Sequence, residues 1–349
     1  MFQTLRFLSR CLVTGDDKSM YYFIMNPTAS SGVGRKVWKQ LKPILKTRGV
    51  KYKLIAQTDK EELIAIVKKL TGRNKKLSFG GTIEVVDAAS EEEIKDKDVH
   101  LVVLGGDGTL NLVFNSIVDL EHTKLSCIRI GSGNDFARNV GIEKAPEKAL
   151  IKILDDPEEV VLDYGEADYV MVDGMRKSRK YVISSGIGYD ADICQEASHS
   201  KIKKVLNVFH LGKLVYVTIG IKQIFSRSNT RAKIYLDGKG PLCVRNLFFA
   251  VGMVHEMEGG GVPFCPDADP EDGKLDVCLA KGAPIPKLLT EVAMVYCRKH
   301  LLFSNVSMYR CRSIRIVVDN PQWIHTDGET PCKVRQVIMS CRQGLRLVK

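Results

Sequence analysis

No stretch of this sequence is long and apolar enough to cross a bilayer. The best candidate, Leu211 to Phe225, is broken by Lys213 and Lys222, and a spanning helix needs about 20 apolar residues. The ten cysteines are scattered, with no CxxC pair and no zinc-like spacing, which excludes a metal ribbon. They read as reduced cytosolic thiols packed as small apolar groups, with no catalytic candidate among them. A Walker A pattern is missing, so a P-loop fold is not implied. There is no internal repeat and no low-complexity segment. Residues 1–19 lack a clean apolar region and a cleavage site, so they read as an extension rather than a signal peptide. Met20, directly before the first strand, is an alternative start.

What is present fits a folded protein of two domains. The chain has 349 residues, more than one domain usually holds, and its 44% hydrophobic content argues against long disorder. Fifty-two basic residues against 41 acidic give a net charge of +11. That favours an anionic partner (nucleic acid, acidic membrane or a phosphorylated substrate) or is simply a solvated basic surface. No nucleic-acid-binding motif accompanies the charge, and a nucleic-acid partner is not expected.

Apolar runs at Tyr21–Met25, Tyr52–Ala56, Val99–Leu104 and Leu125–Ile130 read as buried strands. Helical spacing follows in Val37, Leu41, Ile44 and Leu45, in Leu63, Ile66, Val67 and Leu70, and over Leu110 to Val118. Asp59 with Glu62 suggests a capping box. Strands alternating with helices imply a parallel sheet. Residues 72–98 read as a peripheral insertion, a small hairpin. Beyond Asp163 short β-like runs appear at Val170–Val172, Tyr181–Ser184, Ala232–Leu236, Val244–Val251, Leu275–Leu279 and Ser313–Val318. Helices are expected over Lys203–Phe225 and Ile285–Phe303. The pattern therefore predicts a Rossmann-like α/β domain over residues 20–160, followed over 161–349 by an antiparallel β-sandwich or barrel.

The clearest chemical signal is Gly105-Gly106-Asp107-Gly108-Thr109-Leu110-Asn111, between a strand and a helix. Three glycines let the backbone approach a ligand closely. The helix N-terminus offers unpaired N–H groups and a positive dipole end to phosphate. Asp107 would repel phosphate unless a cation accompanies it, and a Mg²⁺-nucleotide meets that need. A second strand-to-helix loop, Asn26-Pro27-Thr28-Ala29-Ser30-Ser31-Gly32, is rich in donors. A third is Gly131-Ser132-Gly133-Asn134-Asp135-Phe136-Ala137-Arg138. A later acidic turn runs Pro266-Asp267-Ala268-Asp269-Pro270-Glu271-Asp272-Gly273-Lys274-Leu275-Asp276-Val277. Near the end stands Asp327-Gly328-Glu329.

These segments, taken in chain order from Asn26 to Glu329, resemble the diacylglycerol kinase family, which implies a nucleotide-binding first domain and a β-sandwich whose last residues return to it. The first resembles the GGDGT loop that the family shares with sphingosine, ceramide and NAD kinases and phosphofructokinases. The third is similar to its GTxNDFA segment, with Ser132 for Thr and Ile130 where proline is usual. The acidic turn resembles PDAxxDDGxLDV, Val161-Leu162-Asp163-Tyr164-Gly165 its VDxG segment, and Asp327-Gly328-Glu329 its DGE motif. Gly186-Ile187-Gly188-Tyr189-Asp190 also resembles a segment lining the cleft.

The resemblance implies a lipid kinase moving the γ-phosphate of ATP to a lipid hydroxyl, with diacylglycerol the leading acceptor. A sphingoid base or polyprenol is the alternative, and NAD kinase or a non-catalytic binding module a remoter one. It implies ATP contacts from Asn26, Pro27, Thr28, Ala29, Ser30, Thr58, Gly106, Asp107, Gly108, Thr109, Leu110, Asn111 and Ser132. It implies a structural Mg²⁺ held by the Asp272 side chain and the carbonyls of Asp269 and Lys274. Glu329 becomes the proton acceptor, Asp107 a metal holder or second base, and Asp163 a link between the two acids. A lipid acceptor implies a cytoplasmic protein in peripheral contact with anionic membrane, for which Lys201, Lys203 and Lys204 beside Val205, Leu206, Val208 and Phe209 are candidates. A homodimer is left open.

Overall fold

The computed structural model describes residues 20–27, 32–72, 83–86, 98–131, 133–199, 212–226 and 230–349. Thr28, Ala29, Ser30 and Ser132 lie outside them, as do Lys201 to Phe209 and most of the 72–98 insertion.

The N-terminal half is an α/β layer structure. Its sheet runs β3 (Ile83–Val86), β2 (Tyr52–Ala56), β1 (Tyr21–Met25), β4 (Val99–Gly105), β5 (Thr123–Arg129). All neighbours are parallel except β3, which is antiparallel to β2. All seven residues of β4 are buried, as a strand covered on both faces requires. The covering helices are α1 (Val33–Thr47), α2 (Lys60–Thr71), α3 (Asp107–Ser116), α4 (Asp135–Asn139) and α5 (Pro146–Asp155). The Asp59 carboxylate accepts the Glu62 N–H at 2.8 Å, so the expected cap starts α2.

The C-terminal half is mostly antiparallel. It comprises β6 (Glu159–Met171), β7 (Arg176–Tyr181), β8 (Ser184–Gly188), α6 (Tyr189–His199), α7 (Gly212–Ser226), β9 (Thr230–Leu236) and β10 (Lys239–Met253). Then come β11 (Leu275–Lys281), α8 (Ile285–Tyr296), β12 (Val306–Cys311), β13 (Ser313–Thr326) and β14 (Lys333–Val348). The strand β14 joins the halves. It pairs antiparallel with β6 and β13, and its end, at Arg346 and Leu347, pairs parallel with Lys124 and Leu125 of β5. Residue 160, near which the boundary is expected, lies at the start of β6.

Three local expectations change. Tyr181–Ser184 is not one strand but the break between β7 and β8. The N–H groups of Val182 and Ile183 donate to the Asp327 carboxylate, both at 2.8 Å, instead of to a neighbouring strand. The helix expected to begin at Leu110 begins at Asp107, with Gly106 accepting the Leu110 N–H. The helix expected over Ile285–Phe303 stops at Tyr296, because Arg298 turns left-handed at φ 57° and a 3₁₀ turn over His300–Leu302 follows. The helices α5 and α6 have no counterpart in the sequence reading, while the end of β14 is where the last residues meet the first half.

Candidate active site

Parallel strands deliver their loops to one edge. Met25 pairs with Leu104, and Gly105 with Arg129, so the loops after β1, β4 and β5 leave the sheet side by side. The second and third touch backbone to backbone. A Cβ on Gly131 would lie 2.7 Å from Gly106 Cα, and one on Gly106 would lie 3.2 Å from Gly131 Cα. Only glycine permits that approach.

Asp107 opens α3, and its two carboxylate oxygens accept the N–H groups of Asp135 (3.0 Å) and Phe136 (3.1 Å). The acid is thereby fixed in orientation by α4. Asp135 is bound in turn: its Oδ1 accepts from Arg138 at 2.5 Å and its Oδ2 from the Gly260 N–H at 2.7 Å. Burial pushes its carboxyl pKa up, against those donors.

The Asp327-Gly328-Glu329 turn arrives from the C-terminal half. A Cβ on Gly108 would lie 3.3 Å from Glu329 Oε1, so the exposed Glu329 carboxylate stands over the Asp107 loop. Asp327 holds the turn. Besides Val182 and Ile183 it accepts the Ser184 N–H at 3.1 Å and Asn111 Nδ2 at 2.7 Å. Burial raises its pKa, and these four donors oppose the rise.

Asn111, expected at the nucleotide, is fully buried and does other work. Its amide nitrogen donates to Asp327 and to the Lys180 carbonyl, while its oxygen accepts from Arg179 at 2.7 Å. Leu110 is core, with its N–H used inside the helix. Asn26 and Pro27 lie at the end of β1 on the loop edge. Thr58, after β2, donates its N–H to the Gln57 side chain at 2.7 Å.

Asp163 goes elsewhere than expected. It is buried, and its carboxylate accepts the Gly273 N–H at 2.6 Å while its own N–H donates to the Pro270 carbonyl at 2.7 Å. It fastens the acidic turn, and among the described residues no hydrogen bond joins it to Asp107 or Glu329. In that turn Asp272 accepts the Lys274 N–H at 2.9 Å and Asp269 that of Glu271 at 3.0 Å. Arg310 bonds Asp276 at 3.1 Å and lies 3.7 Å from Asp272. Burial, with the Asp272 charge adding to it, raises the pKa values of Asp163 and Asp276. Asp276 Oδ2 is buried without a hydrogen-bond partner. Asp272 and Asp276 share that single guanidinium, and with one Asp276 oxygen unsatisfied the turn suits a hard cation. The Asp272 carboxylate and the Asp269 and Lys274 carbonyls are the residues that would hold it.

Behind the Glu329 turn lies a buried cluster to which the sequence reading gave no role. His325 Nε2 and Asp190 Oδ2 are 2.8 Å apart, and Ser184 Oγ bonds Glu258. Burial would lower the His325 pKa, but Asp190, and then Glu258, hold it up at about 9. Burial raises that of Glu258. Gly328 N–H points at His325 Nδ1, 3.4 Å away. The sequence signals were the Asp190 segment and a histidine two residues before Asp327, each indistinguishable alone from ordinary core.

Comparison with known proteins follows the same division. Residues 20–166 match the diacylglycerol kinase catalytic domain. Residues 182–348 match the YegS C-terminal NAD kinase β-sandwich-like domain. The chain is 26% identical over 314 residues to YtlR of Bacillus subtilis (strain 168), covering 89% of this chain and 93% of that one. It is 26% identical over 250 residues to the diacylglycerol kinase of the same organism, covering 70% and 76%. The crystal structure of a diacylglycerol kinase from Bacillus anthracis str. Sterne superposes with a TM-score of 0.62 at 16% identity, over 95% of this chain and 96% of that one. With both halves matched in order, and the loops of one facing the acid of the other, the chain belongs to the diacylglycerol kinase family of lipid kinases.

Proposed function

We propose that this kinase transfers the γ-phosphate of ATP to the hydroxyl of diacylglycerol, giving phosphatidic acid. The observation that carries the reading is Glu329 Oε1 standing over Gly108 of the Asp107 loop. A carboxylate of the β-rich half thereby faces a phosphate-binding loop of the α/β half.

The residues divide the work as follows. The glycine-lined edge and the N-terminus of α3 receive the phosphates, through backbone N–H groups and the helix dipole. Glu329 accepts the proton of the acceptor hydroxyl as it attacks phosphorus. Asp327, through its four donors, keeps Glu329 at that station. Asp107, oriented by α4, is the acid available to a metal accompanying ATP, and the Asp272 turn would hold a second, structural ion. When bound, Mg²⁺ supplies neutralisation of phosphate charge, which phosphoryl transfer needs more than covalent help. Among the described residues no helix is long and apolar enough to cross a membrane. We place the enzyme on the cytoplasmic side, reaching its acceptor from the surface of an anionic membrane.

The test is transfer of labelled γ-phosphate from ATP-Mg²⁺ to a panel in mixed micelles: diacylglycerol, monoacylglycerol, sphingosine, ceramide, a polyprenol and NAD. Label in phosphatidic acid supports the proposal. Label in another lipid would replace the acceptor, and label only in NADP would overturn the lipid reading.

A further inference from the structure

The chain leaves α8 through an ordered apolar tip. Tyr296 is 55% exposed, Leu301 38% and Leu302 79%. Loose loops often expose such side chains, but this one is pinned. Cys297, Arg298, Lys299, Leu302 and Phe303 each donate a backbone N–H back along the turn. Buried His300 bonds the Phe264 carbonyl through Nε2 at 2.9 Å. Arg298 takes a left-handed φ of 57°, which a non-glycine residue holds only when its surroundings impose it.

The surroundings of the tip are mostly cationic. Between residues 281 and 303 stand Lys281, Lys287, Arg298 and Lys299, against Glu291, which is buried, and across the turn Glu256 pairs with Arg298. The tip also adjoins the active site. Arg298 pairs with Glu256 and His300 with Phe264, at the two ends of one loop. From that loop Met257 exchanges hydrogen bonds with Asn139 of α4, and Gly260 N–H holds Asp135. The N–H of Asp135 orients Asp107.

We infer that the Tyr296–Phe303 tip docks on an anionic lipid bilayer, with Leu301 and Leu302 entering the interface and Lys299 on the headgroups. The inference rests on the lipid acceptor proposed above and names the surface that delivers it. Exposed leucines rimmed by cations suit a bilayer surface. A second protein copy fits less well, because three side chains offer far less than the roughly 800 Å² per partner of a stable interface.

The test uses the full chain and vesicles of phosphatidylcholine, with or without one third phosphatidylglycerol, in co-sedimentation without ATP. Wild type is expected to prefer the anionic vesicles, less so as salt rises. L301S/L302S should weaken partitioning about tenfold or more, and K299Q about fivefold. L302E, at the most exposed position, repeats the test without touching packing. Turnover of a short-chain acceptor dispersed below its micelle concentration should match wild type in all three. Wild-type failure to bind the anionic vesicles, or undiminished binding by both leucine variants, overturns the inference. So does a solution dimer abolished by L301S/L302S, which would assign the tip to self-association. Vesicle binding is read without catalysis, so loss of the docking claim leaves turnover of the dispersed acceptor to judge the kinase reading separately.

Discussion

Asp327→Asn isolates what holds the proposed base in place. The Asp327 carboxylate divides its donors evenly: Oδ1 accepts from Ile183 and Ser184, Oδ2 from Val182 and Asn111. An asparagine keeps one oxygen and turns an NH₂ group toward two donors. Two hydrogen bonds are lost and donor faces donor in a part-buried site. At about 1–3 kcal/mol for each unsatisfied group, the loss is about 2–6 kcal/mol. Because the same turn carries Glu329 over Gly108, kcat should fall at least about a hundredfold, a misplacement effect of the size that geometry errors near 1 Å produce. Urea unfolding of both proteins gives the first quantity, and phosphate transfer at saturating ATP and acceptor gives the second. A variant within about 0.5 kcal/mol of wild type and with near-normal kcat would refute the reasoning, because the four donors would then be holding nothing.

Glu329→Gln should behave oppositely: the residue is exposed, so stability should stay within about 0.5 kcal/mol, while kcat falls about 10²–10⁴-fold if a general base is lost; thermal unfolding beside an activity assay checks both. The His325–Asp190 pair predicts a pH slope. His325 is raised from 6.5 to about 9, so its contribution is complete below about 6.5 and disappears as pH rises through about 9. Glu258, also raised, acts with the same sign at lower pH. His325→Gln should flatten the stability profile between pH 6.5 and 9, measured by unfolding at fixed salt. Saturating Mg²⁺ should raise the unfolding free energy by about 2.7 kcal/mol at a hundred times Kd, read from denaturant unfolding. Asp272→Ala should remove that gain, and an equal gain in the variant would move the ion elsewhere.

The α/β half was legible because its signals are local. Buried parallel strands read as apolar runs, and Gly106 and Gly131 stand where two backbones touch, which the loop sequences advertise. Asp107 and Glu329 could be named from motifs, and the fold brings both to one edge. Asp163 and Asn111 could be named but not assigned. Their side chains are spoken for by Gly273 and by Asp327, partners 110 and 216 residues away, which no local pattern encodes. The break at Val182–Ile183 was hidden for the same reason: a distant carboxylate outcompetes strand pairing. His325 reads as an ordinary core histidine until Asp190 is seen 2.8 Å away.

The seam made by β14 also bears on how the chain is made. Ser126 donates its hydroxyl to the Val348 carbonyl at 2.6 Å, a contact spanning 222 residues. During vectorial synthesis the α/β half emerges first, yet the flank of β5 cannot be covered until β14 leaves the ribosome. For most of translation that flank is a bare sheet edge, the kind of surface on which nascent chains cross-pair. Expression of residues 20–160 alone would make the exposure permanent, so solubility rather than catalysis would be the first property to suffer.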